Sequence, residues 1–174
     1  WSRGLGDVYK RQVGGSGGRS HLSPELKSTA RGSSVEGFVG RYERQLDPKG
    51  RVALPPTFRH RLEPRCFLVI GQDKCVVVVT EAVAAARGEE ILQAVKRGEK
   101  SMSELRALAV SMTEVSVDAQ GRITIDENLR AYAGLLPGAK VVVSGAFDGV
   151  EIWEPARFER MLSEGTEAVA GGAS

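Results

Sequence analysis

The chain has 174 residues, 41% of them hydrophobic and 26% charged, with a formal net charge of +2. This is the composition of a soluble globular protein of one domain or two small ones, and no apolar run approaches the roughly 20 residues that span a bilayer. Two cysteines, Cys66 and Cys75, and two histidines, His21 and His60, are too few for a metal centre, and no signal-peptide core is visible, so export is not expected.

Charge is spread unevenly. Residues 1–37 carry six basic and three acidic side chains, whereas residues 38–174 carry 18 and 19. Any contact with nucleic acid is therefore expected from a local patch of the body and not from its overall field.

In chain order, residues 1–37 are rich in Gly and Ser and show no sustained period. Gly6 to Gln12 resembles the translated adapter of a sequencing-library transposase, so this segment is read as a disordered, non-native tail. Order is expected from Phe38. A strand to Leu46, a turn, and a second strand from Arg51 to Leu54 come first. Pro55-Pro56 then opens a short helix, Thr57 to Leu62. Cys66 to Ile70 and Cys75 to Thr80 alternate around the turn Gly71 to Lys74 and read as a hairpin. The two cysteines flank it without facing each other, as buried thiols of a reducing cytoplasm would.

Helical spacing follows. Val83, Ile91, Leu92 and Val95 recur at helical intervals over Glu81 to Arg97, although Gly88 weakens that helix. Ser103 is expected to cap a second helix that ends at Met112, with Leu105, Leu108, Ala109 and Met112 on one face. Then the first pattern restarts. Thr113 to Val117 is a strand, Ile123 and Ile125 alternate after a turn, and Asp126 caps a short helix from Glu127 to Ala133 that Gly134 stops. Lys140 to Ser144 and Val150 to Trp153 form a second hairpin. Pro155 starts the last helix, with Phe158, Met161 and Leu162 apolar and a frayed end expected after Gly165.

The restart is a repeat. Leu46-Asp47-Pro48-Lys49-Gly50-Arg51 and Val117-Asp118-Ala119-Gln120-Gly121-Arg122 share an Asp-x-x-Gly-Arg core 71 residues apart. Asp suits the first position of a type I turn, and Pro48 presets the second. Gly50 and Gly121 occupy the left-handed position of a bulged hairpin loop. Each unit thus reads as a tight hairpin with an acid at one foot and an arginine at the other. One copy alone would be an ordinary turn with a local ion pair; two copies point to a duplicated unit. Arg59 and Arg130 share the same offset, and Gly71 with Val76 to Val79 matches Gly145 with Val150 to Trp153. One unit has too few apolar residues to stand alone. A shared core and a pseudo-twofold β-barrel are expected, with both turns projecting as a pair.

No Ser–His–Asp, Cys–His or metal cluster is present, and no Walker-type phosphate loop precedes a helix, so no catalytic residue and no cofactor are assigned. Nucleic acid fits better. Phe38 to Leu62 holds Arg41, Arg44, Lys49, Arg51, Arg59 and Arg61 against Glu43 and Asp47, a net of +4, whereas Thr113 to Ala133 nets −2. An arginine beside a rigid turn can fork onto guanine O6 and N7 in the major groove. The alternative is an ordinary solvated basic face.

The residues carry a resemblance. Phe38-x-Gly40, both Asp-x-x-Gly-Arg units, Leu54-Pro55, Gly134-Leu135 and Val150-Glu151-Ile152-Trp153 resemble the MraZ family of bacterial transcriptional regulators, which have two SpoVT/AbrB-type domains. The resemblance implies an α+β, mainly β, swapped-hairpin AbrB-like barrel with flanking helices. It implies repeats at 38–83 and 113–157, a helical connector at 84–112, and a C-terminal helix and tail at 158–174. It further implies ring-like homo-oligomers that repress from short repeats before a cell-division and cell-wall gene cluster, in the cytoplasm at the nucleoid. Asp47, Arg51, Asp118 and Arg122 would belong to the functional motif, supported by Gly50 and Gly121. Arg51 and Arg122 are expected to read double-stranded DNA, while Lys49, Arg41 and Arg44 neutralise phosphate. No membrane or small-molecule partner is expected. The alternative is an AbrB-fold interaction module, such as an antitoxin-like partner, working through the last helix; a purely structural ring ranks third.

Overall fold

Each half opens with a strand that its own turn does not pair. In the computed structural model, which describes residues 37–171, β1 (Arg41–Gln45) enters the first turn and β2 (Arg51–Ala53) leaves it. The expectations for residues 1–36 and 172–174 lie outside the described residues. β1 bonds antiparallel to β7 (Lys140–Gly145) of the second half, with Arg41 opposite Ser144 and Gln45 opposite Lys140. β2 bonds to β6 (Arg122–Thr124), also of the second half. Reciprocally, β5 (Thr113–Ser116) bonds to β3 (Arg65–Ile70) of the first.

This corrects the expected hairpins. The turns close, with the Gly50 N–H donating to the Asp47 carbonyl at 2.9 Å and the Asp47 N–H to the Arg51 carbonyl at 2.9 Å. The strands on either side then part. Gly50 lies at φ +76° and Gly121 at φ +77°, and a bulge of this kind bends and twists the outgoing strand away from the incoming one. The second hairpins form as expected. β3 pairs with β4 (Val76–Val79), and β7 pairs with β8 (Val150–Trp153).

The strands make a six-stranded antiparallel sheet, in the order β1-β7-β8-β4-β3-β5, and a separate two-stranded ribbon of β2 and β6. The class is α+β, but the expected closed barrel is replaced by an open sheet with β1 and β5 at its edges. Ring closure fails because each turn carries the chain from sheet to ribbon without a ladder between the two.

An approximate twofold axis relates the halves. It passes through the ribbon where Val52 faces Ile123, and through the sheet where Val77 faces Glu151. Those are the very positions that the repeat aligns. β4 is buried on both faces, which its four consecutive valines allow. One face, with Cys66, Leu68, Val76, Val78, Val143 and Ile152, packs on the ribbon and on two short helices, α1 (Pro56–Leu62) and α4 (Glu127–Ala133), through Phe58, Leu62, Leu129 and Ala133. This cluster draws on both halves. The other face, with Val69, Val77, Val79 and Val142, packs on α2 (Glu81–Lys96) through Ala84 and on α5 (Pro155–Ala170) through Phe158.

The helices bring three corrections. α3 (Met102–Ser111) is capped by Ser101, not Ser103, because only Ser101 stands three residues before Glu104 and can form the reciprocal capping box. Ala109 is exposed, since the side of that helix that turns partly inward carries Leu105, Leu108 and Ser111. α5 does not fray after Gly165 but continues to Ala170, where Gly171 ends it. The cysteines are free and buried, as expected, and burial pushes the Cys66 thiol up to about 12.

The ribbon is a test of the shared core. Ile123 is 1% exposed and faces Val52 across the axis. Ile123→Ala should lower unfolding free energy by about 2–5 kcal/mol, read as a shifted denaturant midpoint with one cooperative transition for both halves.

Candidate nucleic-acid interface

Both turns are built by one carboxylate doing three jobs. Asp47 Oδ1 accepts from the backbone N–H of Lys49 at 2.8 Å and of Arg51 at 2.9 Å, and its Oδ2 accepts from Arg51 Nε at 2.6 Å. Asp118 repeats this, accepting from the N–H of Gln120 and of Arg122 at 2.9 Å each and from Arg122 Nε at 2.8 Å. The Asp thus fixes the turn's backbone and aims the arginine with the same side chain. An acid four residues before an arginine, with a left-handed glycine between, is what this geometry requires.

The arginines remain partly open to solvent. The Arg51 side chain is 30% exposed and that of Arg122 is 28% exposed, enough to present a guanidinium edge outward. Their restraint is alike: Arg51 is held through Nε, and so is Arg122, whose Nη2 also lies 2.8 Å from Asp118 Oδ2 in the same ion pair. Each turn also shapes its acid: the Arg51 backbone N–H, aided by the Arg51 side chain and the Lys49 N–H, draws the Asp47 carboxyl below its usual 3.8 against the opposing effect of burial. The Arg122 backbone N–H and side chain do the same for Asp118.

Each turn touches the far end of the other half's ribbon strand. The Leu54 N–H donates to the Gly121 carbonyl at 2.9 Å, and the Ile125 N–H donates to the Gly50 carbonyl at 2.8 Å. The turns therefore stand at opposite ends of the ribbon, while Arg51 and Arg122 lie diagonal to each other on its outward face. Asp47, Lys49, Gly50 and Arg51 gather at one end and Asp118, Gly121 and Arg122 at the other, with Lys49 exposed beside the first arginine.

Arg41 and Arg44 are not part of this group. Three residues apart on a strand, they point to opposite faces. Arg41 is ion-paired to Glu159 of α5 and lies 4.9 Å above the Phe158 ring. Arg44 stacks on Tyr42 at 5.5 Å and donates from Nη1 to the Glu43 carbonyl at 2.8 Å. A count of charge along the chain could not separate them from Lys49, because it ignores which face a strand residue takes. It also counts Arg59 and Arg130 without giving them a task. Their equal offset was the available signal, and each lies against the turn of the opposite half.

Similarity to known proteins agrees with the repeat. The family model described as "MraZ protein, putative antitoxin-like" matches residues 38–82 and 108–170. A protein of Corynebacterium kroppenstedtii named transcriptional regulator MraZ is 35% identical over 135 residues, covering 78% of this chain and 93% of the relative. Relatives of the same name from Nocardioides sp. and Parafrankia sp. are 39% and 36% identical, each over 133 residues, covering 75% and 76% of this chain and 89% and 92% of their own lengths.

The turn acids carry a pH signature. Both are depressed, so what they contribute to holding the turns is complete above the unfolded value of 3.8 and is lost as pH falls through their folded values. In a carboxyl-carbon NMR titration Asp47 and Asp118 should show midpoints below 3.8, and the Arg51 and Arg122 amide resonances should shift with the same midpoints.

Proposed function

The chain belongs to the MraZ family, and from that premise we propose that it is a DNA-binding transcriptional regulator whose two turns read short promoter repeats. The observation that carries this is the pairing, on the outward face of one ribbon, of two partly exposed arginines that carboxylates hold ready. Arg51 and Arg122 contact bases or the adjacent phosphates. Lys49 neutralises phosphate beside Arg51. Arg51 leads, because its half carries the positive charge. Arg41 and Arg44 would act on phosphate only if Arg41 exchanges Glu159 for DNA. No step of this reading needs catalysis or a cofactor.

The exchange of β1 and β5 between the halves supports a swapped-hairpin reading, with SpoVT/AbrB-type repeats at 38–83 and 113–157, a connector at 84–112 and a C-terminal segment at 158–174. One chain offers few contacts, so useful affinity comes from several copies, arranged as a ring on phased repeats. In this reading the protein works in the cytoplasm at the nucleoid and represses its own cell-division and cell-wall gene cluster.

A second reading, a protein-interaction module, is favoured by α5, where Leu162 is 39% exposed and Val169 is 88% exposed. Salt separates the two. A DNA reader loses affinity steeply with added salt, along a log–log slope set by the phosphates neutralised. An interaction module gives no shift with promoter DNA at any salt.

Arg51→Ala should weaken binding to the gene's own promoter by about 1–3 kcal/mol per site in a gel-shift titration, with Lys49→Ala mainly flattening the salt slope. Unchanged affinity in Arg51→Ala would remove Arg51 from the contact.

A further inference from the structure

Arg59 and Arg130 have no place in the contacts assigned above, yet their positions are alike in detail. Each is the fourth residue of the short helix of its half, α1 or α4. Each reaches across the axis to the turn of the other half. A Cβ at Gly50 would lie 2.9 Å from Arg130 Nε, and one at Gly121 would lie 2.9 Å from Arg59 Cδ. The arginines thus fill the space where those buried glycines lack a side chain.

Each arginine is also anchored at its own end. Arg130 Nε donates to the Ile125 carbonyl at 3.0 Å, and the Ile125 N–H in turn donates to the Gly50 carbonyl at 2.8 Å. Gly50, Ile125 and Arg130 so form a closed circuit between the halves. Arg59 is ion-paired to Glu63, one helical turn further on. Neither arginine is more than partly exposed.

We propose that Arg59 and Arg130 are positioning residues, each bracing the arginine-bearing turn of the opposite half, so that the two turns hold a fixed spacing and move as one body. The proposal deepens the DNA-reading function and rests on it for its biological consequence. The bracing itself is a property of the free protein. It also explains why glycine is demanded twice at each turn, once by its positive φ and once by the arginine lying on it.

Hydrogen exchange on the full chain, without DNA, tests it. Arg130→Ala should speed exchange of the Lys49, Gly50 and Arg51 amides by about tenfold, while Gln120, Gly121 and Arg122 stay within about twofold. Arg59→Ala should give the reverse pattern. Crossed loosening is the signature, since a merely structural loss would speed both turns together or the mutated half alone. Either of those patterns, or no change, overturns the bracing. Arg130→Lys keeps the stem and charge but removes the Nε–H donor, and carries the same crossed pattern in weaker form should truncation cost the fold. Promoter affinity is then measured on the same variants. Crossed loosening with reduced affinity supports both the bracing and the DNA reading. Crossed loosening with unchanged affinity upholds the bracing and counts against the turns as DNA contacts.

Discussion

The molecule depends on a ribbon only three residues long on each side. β2 and β6 form no ladder within their own halves, because the bulged turn that precedes each one throws it clear of the strand before. Alone, either strand would expose Val52 or Ile123 together with a row of unpaired backbone groups, an outcome that costs both hydrophobic burial and hydrogen bonds. Pairing across the axis removes both penalties at once. It also decides where the turns end up, since antiparallel pairing sets what leads into each strand at opposite ends of the ribbon and turns both leading arginines to its outward face. The functional surface is thus a by-product of how two incomplete units complete each other.

Like geometry does not mean like chemistry. The first turn offers Pro48 and Lys49 where the second offers Ala119 and Gln120. The segment around the first turn nets +4 and that around the second −2, so the halves are unequal instruments on one frame. The helices temper this inequality. α5 recruits Arg41 through Glu159 and Phe158, which takes a cation out of the basic cluster of the first half.

Much of this was legible in the residues. The turns were, because Asp, Gly and Arg at fixed spacing each have a local physical task that the structure finds them performing. The second hairpins were, because alternation and valine runs specify a buried strand wherever it is placed. Pairing between the halves was not, since a strand's own sequence does not say whether its partner comes from its own repeat or from the copy. The open sheet is hidden for the same reason. Ser101 and Ser103 look alike as caps until Glu104 reaches back to one of them. Gly165 has the look of a helix end, but nothing packs against it, so α5 runs through it undisturbed. Arg59 and Arg130 showed their equivalence but not their task, which exists only once the halves are folded together.

The facing of Val77 and Glu151 has a consequence for how such a chain can arise. In a symmetric pair of separate identical units, whatever stands on the axis meets its own copy. Glu151 there would confront a second glutamate, and like charges directly opposed on a sheet repel. Here it faces valine, accepts a bond from Trp153 Nε1 at 3.0 Å, and burial pushes its carboxyl up from 4.5. Joining the copies end to end released this central position from self-complementarity, and once it diverged, the half that carries Glu151 could no longer pair with a twin of itself without setting two carboxylates face to face.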